Sequence, residues 1–230
     1  MWSSCRSEAE KWQVWSGEVA GLERRSGNSG VVTLEIVVGI SGASGVIYGI
    51  RVLEALDGCV THLVMSESAR KIIEIETDYS PEYVESLADH VYAPGDFTAP
   101  IASGSYLFDA MVVVPCSMRT LAGISTGISD TLMIRAADVC LKEGRRLILV
   151  PRETPVNLVH LKNMVSAAEA GAVVMPAAPG FYSRPSSLPE LVDIMVGRIL
   201  DVLGIANDLY KRWPSVKGNA YNEGNQTGMR

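Results

Sequence analysis

Small and hydroxyl-bearing residues follow the first apolar segment of the chain in a pattern suited to anion binding. Residues 34–40 have the composition of a buried strand, and Ser41-Gly42-Ala43-Ser44-Gly45 follows directly, before a predicted helix at 46–56. Small residues let backbone N–H groups approach an anion closely, and the N-terminus of the next helix adds partial positive charge. The turn therefore predicts a site for a phosphate-bearing ligand.

The spacing of the glycines narrows the kind of ligand. Glycines at 39, 42 and 45 do not fit the G-x-G-x-x-G pattern, and no Lys-Ser or Lys-Thr pair follows them. A dinucleotide site would also place an acidic residue at the end of the second strand, to bind a ribose. The segment at 60–65 ends instead in Ser66, whose hydroxyl suits a phosphate. FMN is therefore favoured over NAD, and a turn without a ligand remains an alternative.

Apolar segments near 34–40, 60–65, 109–115, 146–150 and 172–175 alternate with helical patterns. This alternation predicts one α/β domain of the Rossmann-like, flavodoxin-like type, with three layers and a mainly parallel sheet covered on both faces. Ligands of such sheets bind beyond the carboxyl ends of the strands. We therefore expect the polar residues that follow the five segments to meet at one rim.

Composition limits the function classes. The 230 residues are 47% hydrophobic, which suits a single core at 32–213 between an N-terminal extension at 1–31 and a flexible tail at 214–230. A net charge of −6 without a basic cluster argues against nucleic acid, and no apolar run has the length of a membrane span. Scattered cysteines predict a reduced, cytoplasmic protein without a metal site; they are Cys5, Cys59, Cys116 and Cys140.

Several short motifs, taken in order and at compatible spacing, resemble the flavin prenyltransferase family, the UbiX-like enzymes. The resemblance runs from about Leu34 to Trp213. The motifs that carry it are Gly42-Ala43-Ser44-Gly45, Glu76-Thr77-Asp78, Ala102-Ser103-Gly104-Ser105, Pro115-Cys116-Ser117, Arg135-Ala136-Ala137-Asp138, Leu141-Lys142-Glu143, Pro151-Arg152-Glu153, the segment from Pro176 to Tyr182, and Arg198-Ile199-Leu200.

The resemblance implies a reaction, partners and a set of site residues. Members of the family join the dimethylallyl unit of dimethylallyl phosphate to N5 and C6 of reduced FMN, and the prenyl-FMN serves a UbiD-type decarboxylase. The family also implies a homo-oligomer, a dodecamer. The implied FMN-binding residues are Gly42, Ala43, Ser44, Ser66, Ser117, Met118, Arg119, Thr120 and Arg135. The implied prenyl-phosphate and catalytic residues are Ser44, Glu76, Lys142, Arg152, Glu153, Tyr182 and Arg198. The choice between a monophosphate and a diphosphate donor stays open.

Two phosphates in an acidic protein require local cations. Arg135 and Lys142 are seven residues apart on one predicted helix, so they share a face. Together with Arg152 and Arg198 they could neutralise most of the phosphate charge. Surface ion pairs with acidic neighbours on the same helix are the alternative interpretation.

Ring closure at C6 must release a proton, which requires an acid or base near the prenyl group. Glu153, at a predicted strand end, is the best candidate. Glu76 could instead belong to an exposed helical edge, and Ser44 could merely cap a helix. Ser103 lies in a loop at 99–105 whose small, hydroxyl-bearing residues suit an anion or flavin, although an ordinary connector is equally consistent.

Aromatic side chains could stabilise the allylic cation that forms when the phosphate leaves. Phe97 and Trp213 are the candidates for this wall. The family often has tryptophan where Phe97 stands, and phenylalanine attracts a cation more weakly. We therefore expect phenylalanine at position 97 to affect substrate positioning or rate and to leave the type of reaction unchanged.

Two other functions are alternatives to the prenyltransferase. A flavin-dependent cysteine decarboxylase would have a histidine close after the glycine-rich turn and a Pro-x-Met-Asn segment, and neither is present; His62, His90 and His160 are expected to be structural or exposed. Cys116 follows a buried strand and is expected to be a small core residue. A non-catalytic FMN-binding accessory protein is the second alternative. Such a protein would not need the four predicted donor-binding and catalytic residues that are present here, namely Lys142, Glu153, Tyr182 and Arg198.

The helix predicted at 188–203 and the segment through Trp213 are candidate subunit contacts.

Overall fold

The computed structural model describes residues 33–213, and the predicted extension at 1–31 and tail at 214–230 lie outside the described residues. Within this described part of the chain, six parallel strands form one sheet in the order β3-β2-β1-β4-β5-β6. The strands are β1 (Glu35–Ile40), β2 (Val60–Met65), β3 (His90–Tyr92), β4 (Ala110–Cys116), β5 (Arg146–Pro151) and β6 (Val173–Val174).

Helices cover both faces of this sheet, because successive strand residues point to opposite sides and both sides are apolar. Ile36 and Val38 of β1 pack into one core, while Val37 packs into the other. The helices are α1 (Val46–Ala55), α2 (Glu67–Glu76), α3 (Pro81–Ser86), α4 (Met118–Thr126), α5 (Leu132–Lys142), α6 (Leu158–Glu169) and α7 (Leu188–Leu203). The first core contains α1, α2, α3 and α7, and the second contains α4, α5 and α6. The predicted three-layer α/β fold is confirmed.

The sequence prediction missed β3, the strand at one edge of the sheet. It has three residues, two of which, His90 and Val91, are exposed, so it lacks the apolar run that marks the other strands. At the opposite edge, the segment predicted at 172–175 forms only the two-residue strand β6. Both differences lie at edges, where a strand needs few buried residues.

The strand order reverses between β1 and β4, which is where an open α/β sheet leaves a crevice for a ligand. Without the short edge strand β3, the order is that of the flavodoxin-like fold. Ser41 joins the two strand ends at this point. Its Oγ donates to the carbonyl of Pro115 at 2.8 Å and accepts from the N–H of Ser117 at 2.7 Å. The fold thus fixes the glycine-rich turn beside the start of α4.

Candidate active site

Three helices begin at one cavity above the carboxyl edge of the sheet, which we call the central cavity. Ser66, Ser117 and Thr131 are the N-caps of α2, α4 and α5, and all three line it. The hydroxyl of each accepts a hydrogen bond from the backbone N–H three residues later, at 3.1, 3.2 and 3.4 Å. Because helix N-termini carry partial positive charge, the central cavity suits an anionic group without a concentration of lysines.

The central cavity has a volume of about 330 Å³. The predicted site residues that line it are Gly42, Ser66, Ser117, Met118, Arg119, Thr120 and Glu153. Residues that the sequence analysis did not select also line it, namely Val64, Ser68, Pro94, Asp130, Thr131, Met133 and Ile134. Thr131 could have been found, because a threonine directly before an apolar helical pattern is a helix start signal. Pro94 could not, because it follows the unpredicted strand β3.

Gly42 lies where a side chain would not fit. A Cβ built on this residue would be 2.5 Å from the Cβ of Ser68 on α2. The turn therefore packs directly against the first turn of α2, and this close approach requires glycine. Ala43 is buried and does not line the cavity.

Two charged side chains hold the backbone of the glycine-rich turn. The N–H of Gly45 donates to Oε2 of Glu76 at 2.8 Å, and Nε of Arg152 donates to the carbonyl of Ser44 at 3.0 Å. Gly45, with φ of 94°, is the residue that precedes α1, and no side chain caps this helix. Ser44 is therefore not a helix cap. The catalytic role of Ser44 and Glu76 and the donor-binding role of Arg152 stay predictions, since none of the three lines the central cavity.

The charged residues of the central cavity are exposed rather than paired deep in the protein. Oε1 of Glu153 accepts a hydrogen bond from the N–H of Thr154 at 2.9 Å, and its other carboxylate oxygen makes no hydrogen bond or ion pair within residues 33–213. Arg119 has 86% of its side chain exposed and pairs with Asp130 at 3.4 Å. Both side chains can therefore move to meet a ligand.

A second cavity, which we call the lateral cavity, has a volume of about 480 Å³. The predicted donor residues Tyr182, Arg198 and Trp213 line it. The rings of Tyr182 and Trp213 meet edge to face, with centroids 5.4 Å apart. Tyr210 and Arg212, which the sequence analysis did not select, also line it, as do Met175, Pro176, Ala178, Gly180, Ile194 and Met195.

The remaining predicted residues line neither cavity. Nε of Arg135 donates to the carbonyl of Ala102 at 3.0 Å, and its Nη1 pairs with Asp138 at 2.6 Å. Lys142 pairs with its neighbour Glu143, and a Cβ added to Gly104 would overlap both of these side chains. Arg135 and Lys142 thus lie on one side of α5, as their spacing predicts, and that side faces the loop at 99–105. The ion pairs of the alternative interpretation are formed. Ser103, in that loop, bonds to Ser105 at 2.8 Å, and Phe97 is exposed.

Cys116 has the environment of a core residue. Burial raises the pKa of its thiol to about 12, so the thiolate is absent at neutral pH.

Within residues 33–213, no group of three or more His, Cys, Asp or Glu side chains is arranged to hold a metal ion. In the same part of the chain, no helix has the length and apolarity that crossing a membrane requires.

Comparison with known proteins places this geometry in a family. The Flavoprotein family model matches residues 25–207. Flavin prenyltransferase UbiX of Thermoplasma acidophilum is 57% identical over 180 residues, which cover 78% of this chain and 100% of that protein. The chain belongs to the flavin prenyltransferase family.

Solved structures of the family agree with this fold. AnUbiX, solved in complex with FMN and dimethylallyl pyrophosphate, is 48% identical with a TM-score of 0.79, and the match covers 80% of this chain and 98% of AnUbiX. A dodecameric FMN-dependent UbiX-like decarboxylase of Escherichia coli is 44% identical with a TM-score of 0.77, and the match covers 79% of this chain and 100% of that one.

Proposed function

We propose that this flavin prenyltransferase joins the dimethylallyl unit of dimethylallyl phosphate to N5 and C6 of reduced FMN. One observation carries the proposal: residues 33–213 form the central and lateral cavities, both suited to phosphate-bearing ligands, and the relative AnUbiX was solved with a ligand pair of this kind, FMN and an allylic diphosphate. In the reaction the C–O bond of the donor breaks and phosphate leaves with the electron pair. N5 loses its proton as the C–N bond forms, the prenyl C=C bond takes up a proton, and C6 loses a proton as the C–C bond forms. One proton is therefore released overall.

The central cavity fits FMN. The N-termini of α2, α4 and α5 supply N–H groups and partial positive charge for its phosphate. Apolar side chains supply contacts for a flat ring system; they are Val64, Met118, Met133 and Ile134. The reduced flavin, when bound, supplies the electron-rich N5 and C6 atoms. The protein's part is to orient the ring, to exclude water and to accept the proton.

The lateral cavity supplies groups for the donor. Arg198 and the hydroxyl of Tyr182 would bind the phosphate and stabilise the charge that it gains as it leaves. The ring of Trp213 would face the allylic cation. Glu153, on the central cavity, would accept the proton from C6, and the departing phosphate could share that task.

We also propose that the complete site forms between copies of the chain. Ser103, Arg135 and Lys142 line neither cavity of their own chain, so they could reach the site of a neighbour. The relative from Escherichia coli is dodecameric. A face of α6 exposes apolar side chains that a second copy could cover: Leu158 is 66% exposed, Val159 63% and Val165 56%. Light scattering after gel filtration tests this, and a monomer that turns over would contradict it.

The recipient of the product and the cellular location complete the proposal. A UbiD-type decarboxylase would take the prenyl-FMN, in keeping with the family. A cytoplasmic location fits the unpaired thiols of Cys59, Cys116 and Cys140, which would persist in a reducing compartment.

Release of inorganic phosphate from dimethylallyl phosphate, measured without oxygen, tests the proposed function. The release should require reduced FMN and should stop when the flavin is omitted or oxidised. Glu153→Gln should bind both ligands and turn over at least about 100-fold more slowly, because it cannot accept the proton. Unchanged turnover in this variant would remove Glu153 from the mechanism, and release without flavin would indicate a simple phosphatase.

A further inference from the structure

Arg198 and Arg212 are the charged residues among the described residues that line the lateral cavity, and both are cations. Arg198 lies on α7, whereas Arg212 lies on the segment that follows it and folds back over the cavity. About half of each side chain is exposed, 51% for Arg198 and 53% for Arg212. The cavity therefore presents two guanidinium groups to whatever enters it.

One carboxylate organises both arginines. Oδ2 of Asp201 accepts from Nη1 of Arg198 at 3.2 Å and from Nη1 of Arg212 at 3.0 Å, and Oδ1 accepts from Nη2 of Arg212 at 2.7 Å. Tyr210 OH and Asn207 Nδ2 donate to the same carboxylate at 2.7 and 3.0 Å. Asp201 has only 16% of its side chain exposed. The anion is thus covered, while the cations that it holds face the cavity.

We propose that Arg212 is a second phosphate-binding residue of the prenyl donor site, and that Asp201 is the positioning residue that directs Arg198 and Arg212 into the lateral cavity. The inference rests on the proposed function. It adds a cation that the family motifs quoted above do not include, and it gives the segment at 205–213 a task beyond carrying Trp213.

Charge and hydrogen-bonding capacity support a ligand rather than a closed ion pair. Two guanidiniums share one carboxylate, so the group keeps one excess positive charge beside the hydroxyls of Tyr182 and Tyr210. Arg198 uses only Nη1 for hydrogen bonds within residues 33–213, and an arginine has five N–H donors. Arg212 uses Nη1 and Nη2, and Nη2 also donates to the carbonyl of Asn207 at 3.2 Å, so its Nε is the nitrogen without a hydrogen bond in the same range. Planar guanidinium groups suit phosphate oxygens, which can accept two parallel hydrogen bonds. The arrangement therefore fits an anion with several oxygens.

A purely structural role of the Asp201 ion pairs predicts a different result from a role in donor binding. If Asp201 only fastened the segment at 205–213 to α7, Arg212 could be replaced without affecting the donor. If it positions a phosphate site, loss of Arg212 must affect the donor and leave the flavin unaffected, because Arg212 does not line the central cavity.

The test compares Arg212→Gln with Arg212→Lys, and uses Lys211→Gln as the matched control. Lys211 is exposed on the same segment and does not line the lateral cavity, so the control removes the same charge. Calorimetry measures binding of dimethylallyl phosphate, fluorescence measures FMN binding, and steady-state assays give kcat and KM. Arg212→Gln should weaken donor binding and raise the donor KM by about 10-fold to 100-fold, with FMN binding unchanged. Arg212→Lys should recover part of the loss.

A folded Arg212→Gln protein with unchanged donor binding would overturn the inference. Calorimetry keeps this outcome separate from failure of the proposed function: donor binding that depends on Arg212, in a wild-type protein that makes no prenylated flavin, would contradict the function alone.

Asp201→Asn tests the positioning role. It keeps the shape of the side chain and adds positive charge to the group. If Asp201 positions the arginines, kcat should fall and donor KM should rise in protein that melts well above the assay temperature. Tighter donor binding with unchanged kcat would show that Asp201 only lowered the positive charge of the cavity, and would overturn its positioning role.

Discussion

Glu76 and Gly45 are joined by a hydrogen bond of 2.8 Å, from the backbone N–H of the glycine to the carboxylate at the end of α2. The bond links the element after the second strand to the turn after the first. It matters because α1 begins at a glycine with φ of 94° and has no side-chain cap. Glu76 therefore has a structural task that the sequence did not reveal.

Replacing Glu76 should separate this structural task from the predicted catalytic one. Glu76→Ala should lower the free energy of unfolding by about 1 kcal/mol, because the N–H of Gly45 loses its partner, and should weaken FMN binding by loosening the turn. Glu76→Gln should recover most of the stability. Urea denaturation measures the effect, with Glu74→Ala, exposed on the same helix, as a control that should change little. A Gln variant with normal stability and normal turnover would rule out a catalytic role.

Gly42→Ala should damage the flavin site without removing any ligand contact. The added methyl group would lie 2.5 Å from the Cβ of Ser68, so the turn must move away from α2. We expect FMN affinity to fall by about 10-fold or more, since backbone N–H groups lose their alignment. Fluorescence titration measures it. The double variant Gly42→Ala, Ser68→Gly should regain part of the affinity, and Gly95→Ala, where a Cβ meets nothing within 4 Å, should bind normally. Equal affinity of the Gly42→Ala variant and wild type would show that the turn does not hold the flavin.

His62 should make stability depend on pH. It is buried beside His90, with Nε2 2.9 Å from Oε1 of Glu35 and Nδ1 3.0 Å from the hydroxyl of Tyr92. Burial lowers the pKa of His62, although the Glu35 carboxylate opposes this. The folded state therefore binds fewer protons than the unfolded state below the ordinary histidine pKa of about 6.5.

Because of that difference in proton binding, the protein should become less stable as the pH falls. The contribution of His62 to the free energy of unfolding is fully present above a pH of about 6.5. It falls as the pH drops, by at most about 1.4 kcal/mol per pH unit, until the pH is below the lowered pKa of His62 in the folded state. Urea denaturation at about pH 7.5 and about pH 5.5 should show a smaller loss for His62→Gln than for wild type. Titrations common to both proteins cancel in this comparison. Equal losses would mean that folding does not lower the pKa of His62.

Cys116 should be dispensable for turnover. Burial raises its pKa to about 12, and the side chain lies at the end of β4 within the core. Cys116→Ala should retain turnover within about twofold, and the native protein should leave Cys116 unmodified by a thiol reagent, as mapped by peptide mass analysis. Loss of turnover in a stable variant would reopen thiol chemistry.

The central cavity could be predicted in large part because its residues are set by local rules. Ser66 and Ser117 each follow a buried strand and precede a helix, so the chain order alone places them at the carboxyl edge of the sheet. The sequence predicts that Ser41 belongs to a ligand-binding turn, yet in the structure its hydroxyl joins the ends of β1 and β4 through two hydrogen bonds. That use depends on which strands become neighbours, which a single sequence does not show.

The lateral cavity is harder to predict because it forms only when the segment at 205–213 packs back against α7. Asp201 and Arg212 meet only when the segment after α7 returns along that helix, and no local pattern predicts this return. Arg135 and Lys142 show the converse. Their spacing on α5 correctly predicts a shared side, but the direction of that side, toward the loop at 99–105 instead of the cavities, is decided by packing.

The mass of the flavin after anaerobic incubation with dimethylallyl phosphate tests the central claim most directly. Reduced FMN and the protein should yield a flavin heavier by one dimethylallyl unit less one proton, in amounts that grow with turnover, and heat-inactivated protein should yield none. A flavin of unchanged mass, in protein shown to bind both FMN and the donor, would contradict the claim that this chain prenylates FMN.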